Sequence, residues 1–480
     1  MNFINNLKKY RYEFLAASTG ASVMILEITG ARLLAPYFGM STYVWTAMIG
    51  VILAALSFGF WYGGKSADKD DPKRDVGIFI TFAAGGILLL SLFYKPVLDI
   101  IAQGNLDLRI SATLAAIVLF SIPSALIGMV SPHLAKIQVT SLKTSGSAIG
   151  RLEAAGAIGS IAGTFLSGYF LFSYIGSHQI IVLLAIALVL VSFIADASRI
   201  VKSRVALLFI GAALLFAGPT YDNVLLDVDT AYDRYQVVEG VQGGNRVVSL
   251  RTDREGRQSA YYPDKPEELV FDYAKTFEAA TLTDKTSPKD FLVIGGGSHI
   301  LPSYIADNTE SSLDVVEIDP ALDDIAEEFF GYREQDQITI INEDGREYLN
   351  NNIKKYDAVL VDAFSSLTPP FQLSTVEFAR LASKALASDG VVYVNAPSDF
   401  NDSLMSSLFV TYSAVFDYVG VVQANPNIPL SLKQNYLLIA SNNSDEYKSA
   451  LDTLADRSAL NVIGGSVLTD DFAPVERLTY

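Results

Sequence analysis

Six stretches of the chain, at about 14 to 35, 42 to 63, 76 to 94, 110 to 130, 154 to 175 and 179 to 195, are apolar almost without interruption. Each is close to the roughly 20 residues that a helix needs to cross a hydrocarbon layer, and in lipid an open chain must satisfy its own backbone by becoming helical. The first half is therefore expected to be a polytopic helical membrane domain over residues 1–221. The first run is too long for a cleaved signal peptide, and further runs follow it at once. A seventh run, Val205 to Gly218, holds 14 residues and falls below the usual range, so six or seven spans are open.

Basic residues cluster in alternate connections. Lys8, Lys9 and Arg11 precede the first run, Lys65, Lys69, Lys73 and Arg74 follow the second, Lys136 and Lys143 the fourth, and Arg199, Lys202 and Arg204 the sixth. The intervening connections hold Lys95 and Arg109. The positive-inside rule then predicts a multi-pass protein of the cell membrane with a cytoplasmic N-terminus. Seven crossings would put the second half outside the cytoplasm and six would keep it inside, and the sequence leaves that side open. Within the first run, Glu27 and Arg32 are costly charges. They either line a substrate path or form a structural lock, with each other or with Arg151 and Glu153. The Gly159-Ser160-Ile161-Ala162-Gly163 spacing predicts a helix-packing face.

Charge divides the chain as sharply as hydropathy. Of 35 basic and 52 acidic residues, residues 1–220 hold 16 and 10, a net of +6, which leaves −23 on the remainder. An acidic domain repels nucleic acid and anionic headgroups and gathers cations, so amines are more natural ligands than phosphates; the same acidity also serves solubility. With no cysteine and only His133, His178 and His299, disulfides and thiolate chemistry are excluded and no metal centre is expected.

After Tyr221 the pattern changes to short strands. Tyr235 to Glu239 and Arg246 to Arg251, bridged by Gly243, Gly244 and Asn245, read as a hairpin within a small β subdomain over 222–285. From 286 to 480, strands at Phe291 to Ile294, Leu313 to Ile318, Ile338 to Ile341, Ala358 to Val361 and Val391 to Asn395 alternate with helices such as Pro320 to Phe330 and Ser374 to Leu386. That alternation predicts a parallel, Rossmann-like α/β domain of the class I methyltransferase type, with ligands at the carboxyl ends of its strands.

Acidic and glycine residues stand at those ends in order. Gly295-Gly296-Gly297 follows the first strand, but Ile300 replaces the third glycine of a dinucleotide fingerprint. Glu317 follows the second strand, where a carboxylate can accept ribose hydroxyls. Asp344 follows the third and can accept from an adenine amino group; Asp362 follows the fourth, beside the reacting end. Together these describe a nucleoside pocket without a pyrophosphate, best suited to an adenosyl sulfonium. Taken singly, Glu317 also reads as a helix cap and Asp344 as a turn residue.

Residues 230 to 400 resemble the spermidine synthase (polyamine aminopropyltransferase) family in Val293-Ile294-Gly295-Gly296-Gly297, Val316-Glu317-Ile318-Asp319-Pro320, Asp344-Gly345-Arg346-Glu347-Tyr348-Leu349 and Tyr356-Asp357-Ala358-Val359-Leu360-Val361-Asp362. Ala31-Arg32-Leu33-Leu34-Ala35-Pro36-Tyr37-Phe38-Gly39 resembles the membrane region of its bacterial fused-membrane branch. The resemblance implies transfer of an aminopropyl group from decarboxylated S-adenosylmethionine to an amine such as putrescine, with a bilayer as partner and homodimerisation compatible. It implies that Glu317 holds the ribose, Asp344 and Gly345 the adenine, and Gln258 the donor's edge. Asp362 would bind and help deprotonate the amine, with Tyr273, Ser298 and Ser365 at substrate-binding positions. The family pattern is broken in three places: Ser365 and Ser298 stand where it has acids, and Tyr273-Ala274-Lys275 where it has Tyr-His-Glu. The acceptor and the state of the donor are thereby left open, and S-adenosylmethionine itself is a second donor candidate. A methyltransferase on the same scaffold and a polyamine-type transporter with a degenerate transferase domain are the alternatives. The segment Thr469 to Glu476 either returns acids to the pocket or forms an exposed tail, the tail being favoured.

Overall fold

The computed structural model describes residues 10–479 apart from 40, 70–71, 105, 197–199, 217–222, 253–255, 283–286, 288, 364–368, 399–402 and 455–459. The chain forms two compact units, Met1–Asp222 with Val228–Arg234, and Asn223–Asp227 with Tyr235–Tyr480.

The first unit is helical: α1 Arg11–Phe38, α2 Thr42–Ala67, α3 Pro72–Ala102, α4 Leu108–Gly128, α5 Val130–Gln138, α6 Ser145–Leu166, α7 Ser177–Ala195 and α8 Val201–Phe216. Six of its helical segments are long and apolar enough to cross a membrane. Helix α6 begins at Ser145, well before the apolar run that marks it in the sequence, because its main-chain hydrogen bonds form regardless of side-chain polarity. The predicted packing face is realised there. A Cβ on Gly159 would overlap the Ala17 carbonyl, and Cβ atoms on Gly20 and Gly163 would press into the backbones of Gly156 and Ala21. Helices α1 and α6 thus meet backbone to backbone, which only glycine permits.

Arg32, Arg151 and Glu153, singled out in the sequence, each make described contacts. Arg32 donates to the carbonyls of Thr230 at 2.6 Å and Ala231 at 2.8 Å, and its guanidinium lies 4.3 Å from the centre of the Phe172 ring. Arg151 lies 3.8 Å from Glu13, and Glu153 accepts from Ser131 at 3.3 Å. Backbone carbonyls suit the fork of donors that a guanidinium presents.

Further along the chain, β1 Val224–Asp229, β2 Arg234–Gln242, β3 Asn245–Arg251 and β4 Arg257–Tyr261 form a four-stranded sheet in that order. The β2–β3 turn is Gly243-Gly244 alone, at φ 57° and 83°, with Asn245 already paired to Gln242. A two-residue hairpin of this type needs left-handed backbone at both positions.

After α9, Asp272–Thr281, come β5 Asp290–Ile294, α10 Ile300–Asn308, β6 Ser312–Val316, α11 Ala321–Phe329, β7 Ile338–Ile341, α12 Gly345–Asn351 and β8 Tyr356–Val361. They are followed by α13 Val376–Ala385, β9 Leu386–Ser398, α14 Ser403–Ser413, β10 Tyr418–Gln423, β11 Gln434–Ser441, α15 Ser444–Asp452 and α16 Val475–Thr479. The sheet order is β10-β11-β9-β8-β5-β6-β7. Strands β5 to β9 pair in parallel as the sequence predicts, while β10 and β11, which the sequence reading missed, are antiparallel. The link between β10 and β11 holds no helix, so it closes an antiparallel pair rather than a crossover. Alternate residues feed two cores: Leu292, Ile294, Val359 and Val361 pack with Phe378 and Leu408 on one face, Phe291, Val293 and Leu360 with Phe277 and Ile305 on the other. The strand order reverses between β5 and β8, which makes their carboxyl ends the crevice of the sheet.

Candidate active site

The crevice is built on the turn after β5. Gly295 donates to the Val316 carbonyl at 2.9 Å and lies at φ 95°, where a Cβ would also overlap the carbonyl of Asp362. Gly297 lies at φ 52°. The amides of Gly296 and Gly297 then both point at one carboxylate oxygen: they donate to Glu317 Oε2 at 2.9 and 3.0 Å, and the Asp319 amide donates to Oε1 at 3.1 Å. The donors that would cradle a pyrophosphate in a dinucleotide site are thus already held by an anion of the chain itself, and a phosphate would meet repulsion there. A carboxylate has about four acceptor directions, so one stays open on Oε1 for a hydroxyl. Burial raises the pKa of the Glu317 carboxyl above its ordinary value, opposed by the three amides and by His299.

Asp362 follows β8 and is fixed from both sides. Its amide donates to the Ile294 carbonyl at 2.8 Å, and its Oδ1 accepts from Asn395 Nδ2 at 2.7 Å. Asn395 Oδ1 in turn accepts from Asn435 Nδ2 at 2.9 Å. The buried Tyr273 hydroxyl also donates to Asp362. Burial pushes the Asp362 carboxyl up to about 6, the Asn395 and Tyr273 hydrogen bonds pull the other way, and the charge of Glu317 adds to the rise. Burial and the adjacent carboxylate likewise push the Tyr273 phenol above its ordinary value. A carboxylate of this acidity is an acceptor for an ammonium proton near neutral pH.

Ser298 is fully buried; its amide donates to Ser259 Oγ of β4 at 3.1 Å, and its own hydroxyl has no partner among the described residues. Gln258, its neighbour's neighbour on β4, is half-buried. Asp344 caps α12, accepting from the amides of Arg346 at 2.9 Å and Glu347 at 3.0 Å through Oδ1. Gly345 is buried, and a Cβ there would overlap the Ile294 side chain, so its want of a side chain lets α12 close on β5. Ser365 lies outside the described residues. Ala274 is buried and Lys275 lies 3.8 Å from Asp272 on the exposed side of α9.

The segment foreseen as an exposed tail is docked instead. Arg346 grips both oxygens of Asp470 at 2.7 and 2.5 Å, Thr375 donates to Asp470 at 2.8 Å, and Leu468 and Val475 are buried. The basic partner was visible only once α12 and the C-terminal segment were brought together. Sequence reasoning also missed Asn395, Asn435 and Ser259. A polar residue closing the apolar run Val391 to Val394 was the available signal for Asn395; Asn435 sits on a strand that was not foreseen.

Comparison with known proteins gives the same picture. Residues 270–447 match the family profile described as the spermine/spermidine synthase domain. The chain is 31% identical over 163 residues to the polyamine aminopropyltransferase of Vibrio vulnificus, covering 33% of this chain and 54% of that protein. It is 30% identical over 134 residues to putrescine N-methyltransferase 2 of Nicotiana tabacum, covering 27% of this chain and 38% of that protein. The chain thus spans about half the length, or less, of these curated relatives. A crystal structure of a probable spermidine synthase from Corynebacterium glutamicum aligns with a TM-score of 0.44 at 19% identity, over 52% of this chain and 97% of that one. The glycine turn and the ordered carboxylates Glu317, Asp344 and Asp362 all lie within the stretch 270–447 that matches the spermine/spermidine synthase domain.

Proposed function

We propose that the protein is a membrane-bound, spermidine synthase-like transferase that moves an aminopropyl group from decarboxylated S-adenosylmethionine to an amine acceptor such as putrescine. The observation that carries this reading is Asp362, a carboxylate poised at about 6 and held by Asn395 and Tyr273 beside a glycine turn closed on Glu317. An ammonium has no lone pair with which to attack. Asp362 orients it and accepts its proton, the nitrogen then attacks the propyl carbon in line with the sulfur, a C–N bond forms as the C–S bond breaks, and neutral methylthioadenosine leaves. In this reading Glu317 receives a ribose hydroxyl, Asp344 and Gly345 border the adenine, Gln258 lines the donor's edge, and Tyr273, Ser298 and Ser365 border the acceptor. The chain divides as a membrane domain over 1–221 with a cytoplasmic N-terminus, a β subdomain over 222–285 and the transferase domain over 286–480.

A methyltransferase is the second reading. Ser298 is neutral where the family pattern expects an acid, which removes a repulsion against the carboxylate of S-adenosylmethionine, and the similarity to a putrescine N-methyltransferase points the same way. Calorimetry of the purified protein with decarboxylated S-adenosylmethionine, S-adenosylmethionine and methylthioadenosine, then mass analysis of products formed with putrescine, separates the two. Tight binding of the decarboxylated donor and a product heavier by an aminopropyl group are expected; a methylated product selects the second reading, and no binding of any of the three sinks both.

A further inference from the structure

The two ends of the helical unit can be told apart by the contacts that close them. At one end Arg11, which opens α1, donates to the carbonyl of Ala195, which ends α7, and Arg204 near the start of α8 donates to the Asp196 carbonyl and, at 3.0 Å, to Thr81 of α3. At the other end Arg32, in the last turns of α1, holds the carbonyls of Thr230 and Ala231. There too the Asp229 carboxylate accepts from the amide and hydroxyl of Ser177, which opens α7, at 2.6 and 2.9 Å. The segment Val228–Arg234 is therefore fixed where α1 finishes and α7 begins, the full 19-residue length of α7 away from the Arg11 end.

Helix α8 starts at the Arg11 end, and its neighbours record its course. Arg204 lies against Gly77 and Asp196, whereas Gly211 lies against Leu88 of α3 and Ile186 of α7. Seven residues along α8 advance the contact from Thr81 to Leu88 on α3 and move it back from Asp196 to Ile186 on α7. The helix thus runs parallel to α3 and antiparallel to α7, as a crossing helix must; one lying along the membrane surface would keep its contacts at a single level. Its 16 residues rise about 24 Å, somewhat short of a ~30 Å core, a shortfall that local thinning or snorkelling of flanking residues absorbs.

We infer that α8 is a seventh membrane crossing and that the transferase domain lies on the side of the membrane opposite the N-terminus, outside the cytoplasm. The sidedness follows from the basic residues of the Arg11 end, among them Lys136, Lys143, Lys202 and Arg204, against the few at the Arg32 end. One consequence rests on the transferase reading. The acceptor amine comes from the extracytoplasmic pool, and the donor, a sulfonium nucleoside with fixed charge, does not cross a bilayer unaided. A transport step must therefore supply it to this side.

The chain contains no cysteine, so a single introduced thiol reports its own location. Ile353→Cys places one in the transferase unit, where the side chain is 95% exposed, and Leu142→Cys places one between α5 and α6, where it is 92% exposed. Each full-length variant is treated with a membrane-impermeant maleimide in right-side-out vesicles, before and after permeabilisation with detergent. Labelling of Ile353→Cys in intact vesicles, with Leu142→Cys labelled only after permeabilisation, is the expected result. Protection of Ile353→Cys until the membrane is opened overturns the inference, whether Leu142→Cys is then protected or labelled. The readout involves neither donor nor acceptor, so a failed transferase reading leaves it untouched.

Discussion

At the scale of single residues, Asp362, the proposed acceptor of the amine proton, carries a stability cost. Its carboxyl, raised to about 6 from an ordinary 3.8, binds its proton more tightly folded than unfolded. This group's contribution to stability is therefore present at low pH and is lost as pH rises through that interval, a loss of up to about 3 kcal/mol at 1.36 kcal/mol per unit. Asp362→Asn is expected to lower turnover by roughly 10²- to 10⁴-fold while leaving donor affinity in calorimetry intact and raising Tm at pH 8. A loss of donor affinity of the same size would remove Asp362 from its role toward the amine. In the wild type, turnover should fall about tenfold per unit below pH 6, where the base becomes protonated. Asn395 donates to the charged form of Asp362, and hydrogen bonds to charged groups are worth about 1.5–3 kcal/mol, so Asn395→Ala should move that inflection upward by roughly one unit or more. An unmoved inflection would reduce Asn395 to a structural residue.

At the scale of elements, close approach decides what the sequence can only hint at. The glycines after β5 are used twice over: Gly295 because a side chain would enter the Asp362 carbonyl, and Gly296 with Gly297 because their amides close on Glu317. In the helical unit the same logic joins α1 to α6 through Gly20, Gly159 and Gly163. Gly159→Leu is expected to part these helices and lower the detergent-solubilised yield of folded protein; an unchanged melting profile would show that the helices do not need this contact. The parallel strands and the glycine-to-carboxylate succession were legible because parallel strands are buried on both faces and stand out as apolar runs. The β10–β11 hairpin and Asn435 were not, although Tyr436 to Ala440 is a continuous apolar run buried between β10 and β9: no helix separates β10 from β11, so the strand–helix alternation does not mark them.

Over the whole molecule, the helical unit has its own core and the mixed sheet has one on each face. Separate cores in separate compact units should unfold in separate transitions. Scanning calorimetry in detergent is expected to show two, of which saturating donor raises only one, by about 2.7 kcal/mol at a hundredfold excess over Kd. A single transition moved as a block by the donor would mean that the units unfold together. By itself the sequence determined the helical bundle, its cytoplasmic N-terminus as an expectation, and the α/β domain with its acids at successive strand ends, because hydropathy period and charge are local properties of the chain. Only the tertiary structure decided that the glycine amides hold Glu317, that Asn395 and Tyr273 hold Asp362, and that the short apolar run α8 lies parallel to α3 and antiparallel to α7. Each of these depends on residues far apart in sequence brought within hydrogen-bonding or packing distance, which no local pattern encodes.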